Sequence, residues 1–322
     1  MNLLPFIEPI HADMEKVEQR LLRASEVEFP LLKAAVQGLL LAGGKRLRPA
    51  VAILSSQFFD AQADRVVSAA AAIEMLHTAT LVHDDMIDRA NTRRGHPTLN
   101  SRLSSEATVL TGDYMFAVAA SLAAETDSVP VVQIFSHALM TICNGELRQL
   151  LADRNWPPTR EGYDKRIYSK TASLFAASAE AGAVLSSALP DKVQQIRTYG
   201  NNLGVAFQIV DDVLDYTGDP SELGKPVGSD LRQGIVTLPA LLYMDGAGGS
   251  SAETLVRRAA GGEADAVEKA VAAILASGAV DKALSEAVRF ARKAQDALKG
   301  LPAGQSKNIL SQLADYVVSR RT

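Results

Sequence analysis

Two groups of carboxylates stand out by residue type and spacing: Asp84-Asp85-Met86-Ile87-Asp88 and Asp211-Asp212-Val213-Leu214-Asp215. Each closes a long apolar run, Val66–Val82 before the first and Lys192–Leu214 leading into the second. On a helix, Asp84 and Asp88 stand at i, i+4 and Asp85 and Asp88 at i, i+3, so both pairs share a face. Like charges so placed repel by roughly 0.2–0.5 kcal/mol per pair. A solvated acidic helix end explains one such group. Two of them, each after an apolar run, ask for a cation. Carboxylate oxygens suit Mg²⁺, which keeps several waters and bridges to phosphate oxygens. The spacing therefore predicts metal ions, and a diphosphate held through them.

Basic residues frame the first group. Gly43-Gly44-Lys45-Arg46-Leu47-Arg48-Pro49 sets three cations after two glycines. Glycine lets a backbone approach an anion closely, and arginine offers a planar fork that matches phosphate. The segment is not a Walker A loop, because Leu39 and Arg46 stand where glycine and Ser/Thr are needed. Arg93-Arg94 follows the first carboxylates. Alone, each basic stretch reads as a solvated turn; beside two carboxylate groups they suggest two diphosphates. His77 lies seven residues before Asp84, and His83 adjoins it, so both are candidates for phosphate contact. Glu74-Met75-Leu76-His77 has the Glu-x-x-His form used by di-iron bundles. The other match, Glu8-Pro9-Ile10-His11, contains a proline and falls in an N-terminus expected to be frayed, which disfavours that rival. Gln208, one turn before Asp211, faces the same space as it does.

The elements that must position these residues are helices. The 322 residues are 47% hydrophobic with only 5% aromatic. Helices are expected over Val66–Val82, Ser105–Ala124, Val131–Leu151, Lys165–Leu189, Lys192–Leu214, Ala252–Ala276, Val280–Leu298 and Ser306–Arg321. Gly and Pro punctuate between them, and Gly246–Ser251 is the most flexible stretch by composition. No linker separates two halves, so residues 1–322 read as one large all-α domain. The net charge of −4 and the lack of a long basic run exclude a general nucleic-acid surface. A single cysteine, Cys143, excludes a disulfide framework and fits a reducing, cytoplasmic setting. Met1–Ile10 lacks the basic start of a secretory signal. The apolar window Thr171–Leu189 is mostly Ala and Ser around Glu180, a buried helix and not a membrane span.

In Gly43–Pro49, His77–Asp88, Arg93-Arg94-Gly95, Lys170-Thr171 and Gly204–Asp215 running on to Gly224-Lys225, the sequence resembles the trans-prenyl diphosphate synthases. The resemblance covers nearly the whole chain in order and spacing. It implies a bundle of roughly a dozen helices around a deep central cavity, and a long-chain synthase, not a terpene cyclase, because both aspartate groups are intact. It further implies a homodimer and three Mg²⁺ ions, replaceable by Mn²⁺. Asp84 and Asp88 would ligate metal from one wall and Asp211 from the other, with Asp85, Asp212 and Asp215 in support. Arg93 and Lys225 would hold an allylic diphosphate, and Lys45, Arg48, His77 and Arg94 isopentenyl diphosphate. Lys170, Thr171 and Gln208 would line the carbocation. Gly218–Gly234 is the expected lid.

Product length should be set before Asp84. The positions four and five residues earlier, Thr80 and Ala79, are small where short-chain members carry aromatics. With Leu76 one turn deeper and Tyr114 on a facing helix, they predict a slot for thirty to fifty carbons, with geranylgeranyl or farnesyl products, a terpene cyclase and a non-catalytic metal-carboxylate protein as alternatives. The Arg320-Arg321 end is expected to be a solvated tail. Membrane contact is expected to be peripheral at most.

Overall fold

The computed structural model describes residues 4–41, 43–93, 96–151, 156–219, 226–246 and 249–320. Its helices are α1 (His11–Ala24), α2 (Pro30–Leu41), α3 (Leu47–Ser56), α4 (Ala63–Ile87), α5 (Ser105–Ala124), α6 (Val129–Leu151), α7 (Arg160–Ile167), α8 (Ser173–Leu185) and α9 (Pro190–Thr217). They continue with α10 (Ser229–Arg232), α11 (Leu238–Met244), α12 (Gly249–Ala260), α13 (Ala264–Ala276), α14 (Ala279–Ala297) and α15 (Gln305–Ser319). A two-residue ladder, β1 (Thr92–Arg93) against β2 (His96–Pro97), is the only sheet among the described residues. The chain groups into two compact units. Met1–Met140, Leu174–Gly200 and Ala297–Gln312 make one; Thr141–Ser173, Asn201–Asp296 and Leu313–Thr322 make the other.

The first unit is built around α4. Its residues are apolar on every side, as a helix inside a bundle must be, and side chains from Val66 to Val82 are buried almost without break. By length and composition α4 and α5 could each cross a membrane; 83% of the α4 window is buried inside the protein, against 39% for α5. Within the stretch expected to be frayed, Pro5–Ile10 is tied down: it forms a 3₁₀ turn whose Ile7 and Ile10 are buried, and Met14, Val17 and Leu21 of α1 continue that apolar face. Helix α8 meets α3 at Gly182, where an added Cβ would lie 2.1 Å from the Ala52 carbonyl oxygen. Backbone cannot step aside as a flexible side chain can. Gly182→Ala should therefore cost about 1–3 kcal/mol, read as a lower urea midpoint at unchanged slope.

The second unit packs Tyr163 and Ile167 of α7, Ile209 and Val213 of α9, and Leu238, Val256, Val267 and Ala283 from the following helices into one core. Two expected helices are interrupted. Lys165–Leu189 is broken by a wide π turn at Tyr168–Ala172, a feature that apolar periodicity does not reveal. Ala252–Ala276 divides into α12 and α13 because Gly262 takes φ +88°, a left-handed conformation that stops a helix.

Candidate active site

Both aspartate groups sit where a helix leaves them poorly placed without a cation. Asp84, Asp85 and Asp88 end α4, and Asp211, Asp212 and Asp215 occupy the last turns of α9. The C-terminal end of a helix carries the negative pole of its dipole, so carboxylates there are disfavoured. In the first unit, Asp85 is buried while Asp84 is half-buried and Asp88 exposed. The β1–β2 turn folds back so that Arg93 Nε donates to Asp85 Oδ1 at 2.7 Å. Burial raises the Asp85 carboxyl above its usual range, and Arg93 opposes the shift.

The Gly43–Pro49 segment does not present three cations to an anion. Arg46 takes the left-handed conformation, φ 48°, and turns inward. Its guanidinium donates to Glu18 at 2.6 and 3.3 Å, to Glu74 at 2.7 Å and to the Leu40 carbonyl at 2.7 Å. That leaves Lys45 and Arg48, both half-buried, as the anion-facing candidates. The Arg48 guanidinium lies 4.6 Å over the Phe175 ring, and His77 is half-buried on α4. Glu74 is thus the buried counter-ion of Arg46, which removes the carboxylate from the di-iron reading. His83 turns to α5: its Nε2 stands 3.2 Å from the Val109 carbonyl and its ring packs edge-on against Phe116.

An apolar cavity of about 10 Å³ runs beside α4 in the same unit. It is narrow, since one water needs roughly 10–15 Å³. Ala72, Ile73 and Leu76 line it from α4, Val131 and Phe135 from α6, and Ala177 from α8. Of the expected slot residues, Leu76 lines this cavity. Ala79 and Thr80 are buried one turn nearer the aspartates, and Tyr114 is half-buried on α5.

In the second unit the hydrogen bonds form a chain. Thr171 Oγ1 donates to Gln208 Oε1 at 2.6 Å. Gln208 Nε2 donates to Asp212 Oδ1 at 2.9 Å, and Tyr163 Oη to Asp212 Oδ2 at 2.7 Å. Burial, reinforced by Asp230, pushes the Asp212 carboxyl up to about 7. The π turn carries Lys170 and Thr171, and Lys170 pairs with Glu146 of α6 at 3.3 Å. Asp215 Oδ2 accepts the Asp230 backbone N–H at 3.1 Å. The Gly228 N–H closes on the Asp215 carbonyl at 2.8 Å and Leu231 is fully buried, so the second half of the expected lid is anchored.

Asp211 has a partner that its sequence neighbourhood does not announce. Arg320 donates to its Oδ1 at 2.5 Å and to the Phe207 carbonyl at 2.8 Å, and stacks 3.9 Å over the Phe207 ring. The Arg320 side chain is 5% exposed, so Arg320 is not part of a solvated tail. Arg94, Lys225 and Arg321 lie outside the described residues. Among the described residues, no three His, Cys, Asp or Glu side chains converge as a ready-made metal cage. Such a cage suits zinc; Mg²⁺ is bound by one or two carboxylates plus water and substrate phosphates. Asp84 and Asp88 in the first unit, and Asp211 in the second, each offer oxygen donors of that kind.

Residues 29–276 match the sequence profile of the family described as Polyprenyl synthetase. The chain belongs to the polyprenyl synthetase family. Over 310 residues this polyprenyl synthetase is 37% identical to heptaprenyl diphosphate synthase component 2 of Geobacillus stearothermophilus, covering 96% of each chain. It is 35% identical to octaprenyl diphosphate synthase of Escherichia coli strain K12 over 322 residues, 99% of each. Its structure superposes with a TM-score of 0.93 on polyprenyl synthase from Caulobacter crescentus CB15 complexed with calcium and isoprenyl diphosphate. That protein is 38% identical, and the match covers 98% of this chain and 97% of the other. The polyprenyl synthetase has the all-α isoprenoid-synthase fold expected from its sequence and is a prenyltransferase.

Proposed function

We propose that this enzyme condenses isopentenyl diphosphate with an allylic diphosphate to make an all-trans polyprenyl diphosphate. The observation that carries the proposal is the pair of aspartate groups at the C-terminal ends of α4 and α9, both intact. The names of the relatives favour a long product, thirty to fifty carbons, over geranylgeranyl. Residues 1–322 act as one synthase domain in the cytoplasm. Asp84, Asp88 and Asp211 are the residues that hold Mg²⁺, three ions per site, with Mn²⁺ a workable substitute. Bound Mg²⁺ supplies Lewis-acid stabilisation of the charge that builds on the leaving diphosphate.

The remaining work falls to the chain. Arg93 and Lys225 bind the allylic diphosphate; Lys45, Arg48, His77 and Arg94 bind isopentenyl diphosphate. The allylic C–O bond breaks with its electron pair leaving on diphosphate. The double bond of isopentenyl diphosphate attacks the cation, and a proton passes to the departed diphosphate. Lys170, Thr171 and Gln208 line the cation, and apolar walls exclude the water that would quench it. Chelating Mg²⁺ should abolish diphosphate release from the allylic substrate, and re-adding Mg²⁺ should restore it; release that survives chelation would defeat the reading.

The growing tail enters the cavity beside Leu76 and Ile73, which side-chain rearrangement must widen. Phe135 closes it on the α6 side. Ala79→Tyr should shorten the main product by at least two isoprene units, and Phe135→Ala should lengthen it by one or more. Thin-layer sizing of the dephosphorylated products measures both. Unchanged products in both variants would move the slot elsewhere.

A homodimer fits the surface of α5 and α6. Leu110, Ala117 and Ala120 of α5 and Val129, Val132 and Met140 of α6 are exposed, an apolar face of the kind that marks an interaction site. Contact with a membrane surface during product release is peripheral.

A further inference from the structure

The chain Thr171–Gln208–Asp212–Tyr163 has a direction, and one end of it lies outside every motif that the sequence displays. A threonine hydroxyl has one proton to donate. Here that proton is committed to Gln208 Oε1 at 2.6 Å. Only the lone pairs of Thr171 Oγ1 then remain for any other group. Gln208 can accept from Thr171 only while its amide points NH₂ toward Asp212, as it does at 2.9 Å. Asp212 accepts through both of its carboxyl oxygens, from Gln208 and from Tyr163, and so holds that orientation. What fixes Asp212 in turn is Tyr163, whose hydroxyl donates to the second carboxylate oxygen at 2.7 Å. The Tyr163 ring is itself held, 2% exposed, with the Arg166 guanidinium 5.5 Å above it. Arg166 is anchored by its bond to the Val236 carbonyl at 2.7 Å.

We infer that Tyr163 is a positioning residue whose hydroxyl, through Asp212 and Gln208, sets the polarity of Thr171 so that it offers lone pairs and no proton to the developing allylic cation. The inference rests on the proposed placement of Thr171 beside that cation. A hydroxyl free to rotate would spend part of its time with its positive end toward the reacting carbon. Fixing it beforehand is preorganised stabilisation of a developing charge. Because the cation exists only after ionisation, losing the polarity lowers kcat and leaves the binding of both diphosphates alone.

The experiment is steady-state kinetics with both substrates, together with thermal unfolding, on Tyr163→Phe, Thr171→Val, Gln208→Glu and the double variant Gln208→Glu/Asp212→Asn. Tyr163→Phe should lower kcat about ten- to hundredfold, the usual cost of losing a group that orients a site residue. Both KM values should stay within about twofold of wild type. Gln208→Glu sets like charges together and should be at least as impaired. Adding Asp212→Asn reverses the donor and acceptor between these two positions while the glutamate still accepts from Thr171, so the double variant should recover at least about tenfold over Gln208→Glu alone. Wild-type kcat in Tyr163→Phe, a parallel rise in both KM values with a fall in Tm, or a double variant no better than Gln208→Glu would overturn the inference. Full activity in Thr171→Val would instead overturn the placement of Thr171, and the inference with it. An inactive Thr171→Val beside a fully active Tyr163→Phe would overturn the inference alone.

Discussion

Replacing Asp84 with alanine should lower kcat/KM by about 10³-fold or more, the scale set by removing a preorganised stabiliser of transition-state charge, while leaving the metal-free protein no less stable than before. The two halves of that result have separate causes. Asp84 sits half-buried at the negative end of α4 among two other carboxylates. Removing a carboxylate from that position relieves repulsion worth about 0.3–1 kcal/mol. Asp211→Ala should be as inactive but less stable. It deprives the buried Arg320 guanidinium of its carboxylate, and a charged hydrogen bond lost in a buried place costs about 1–3 kcal/mol. Kinetics and thermal unfolding on the two variants separate these effects. Equal stability in both would mean that the Arg320–Asp211 pair contributes nothing measurable.

The second large effect concerns folding. Arg46→Ala should destabilise the protein by about 3–5 kcal/mol, the range for breaking a buried ion pair by removing one partner. Glu74 is 5% exposed and would keep a charge with no cation beside it. Arg46 also ties three places together: Glu18 of α1, Glu74 of α4 and the end of α2 at Leu40. Arg46→Lys keeps the charge but not the fork, so it should recover only part of the loss. Removing Arg46 and Glu74 together should cost less than the two single losses added, because the second removal takes away the unpaired charge left by the first. Urea unfolding of the four proteins completes the cycle. Strict additivity would show that the pair does not couple.

Much of the fold was legible because its signals are local. α5 has the bounds that periodicity predicts, Ser105–Ala124, and the all-round apolar character of α4 marks it as the buried helix of its unit. The aspartate groups were legible for the same reason: three carboxylates on one helical face conflict with local physics unless something resolves the conflict. What sequence reading missed depends on distant partners. Lys45, Arg46 and Arg48 look alike as letters. Arg46 turns inward because Glu18 and Glu74, each 28 residues away, meet it there. Arg320 reaches Asp211 across 109 residues, so its terminal position suggested solvent. The π turn at Tyr168–Ala172 leaves the composition of an ordinary helix unchanged. Tyr163 carries no motif at all, and only its hydroxyl's position against Asp212 makes it informative.

The most direct measurement is incorporation of radiolabelled isopentenyl diphosphate, with Mg²⁺ and allylic primers of five to twenty carbons, followed by sizing of the dephosphorylated products. The proposed function predicts label in a ladder of all-trans products ending between thirty and fifty carbons, absent without Mg²⁺. No incorporation with any primer, or a hydrocarbon formed from the allylic diphosphate alone, would contradict it.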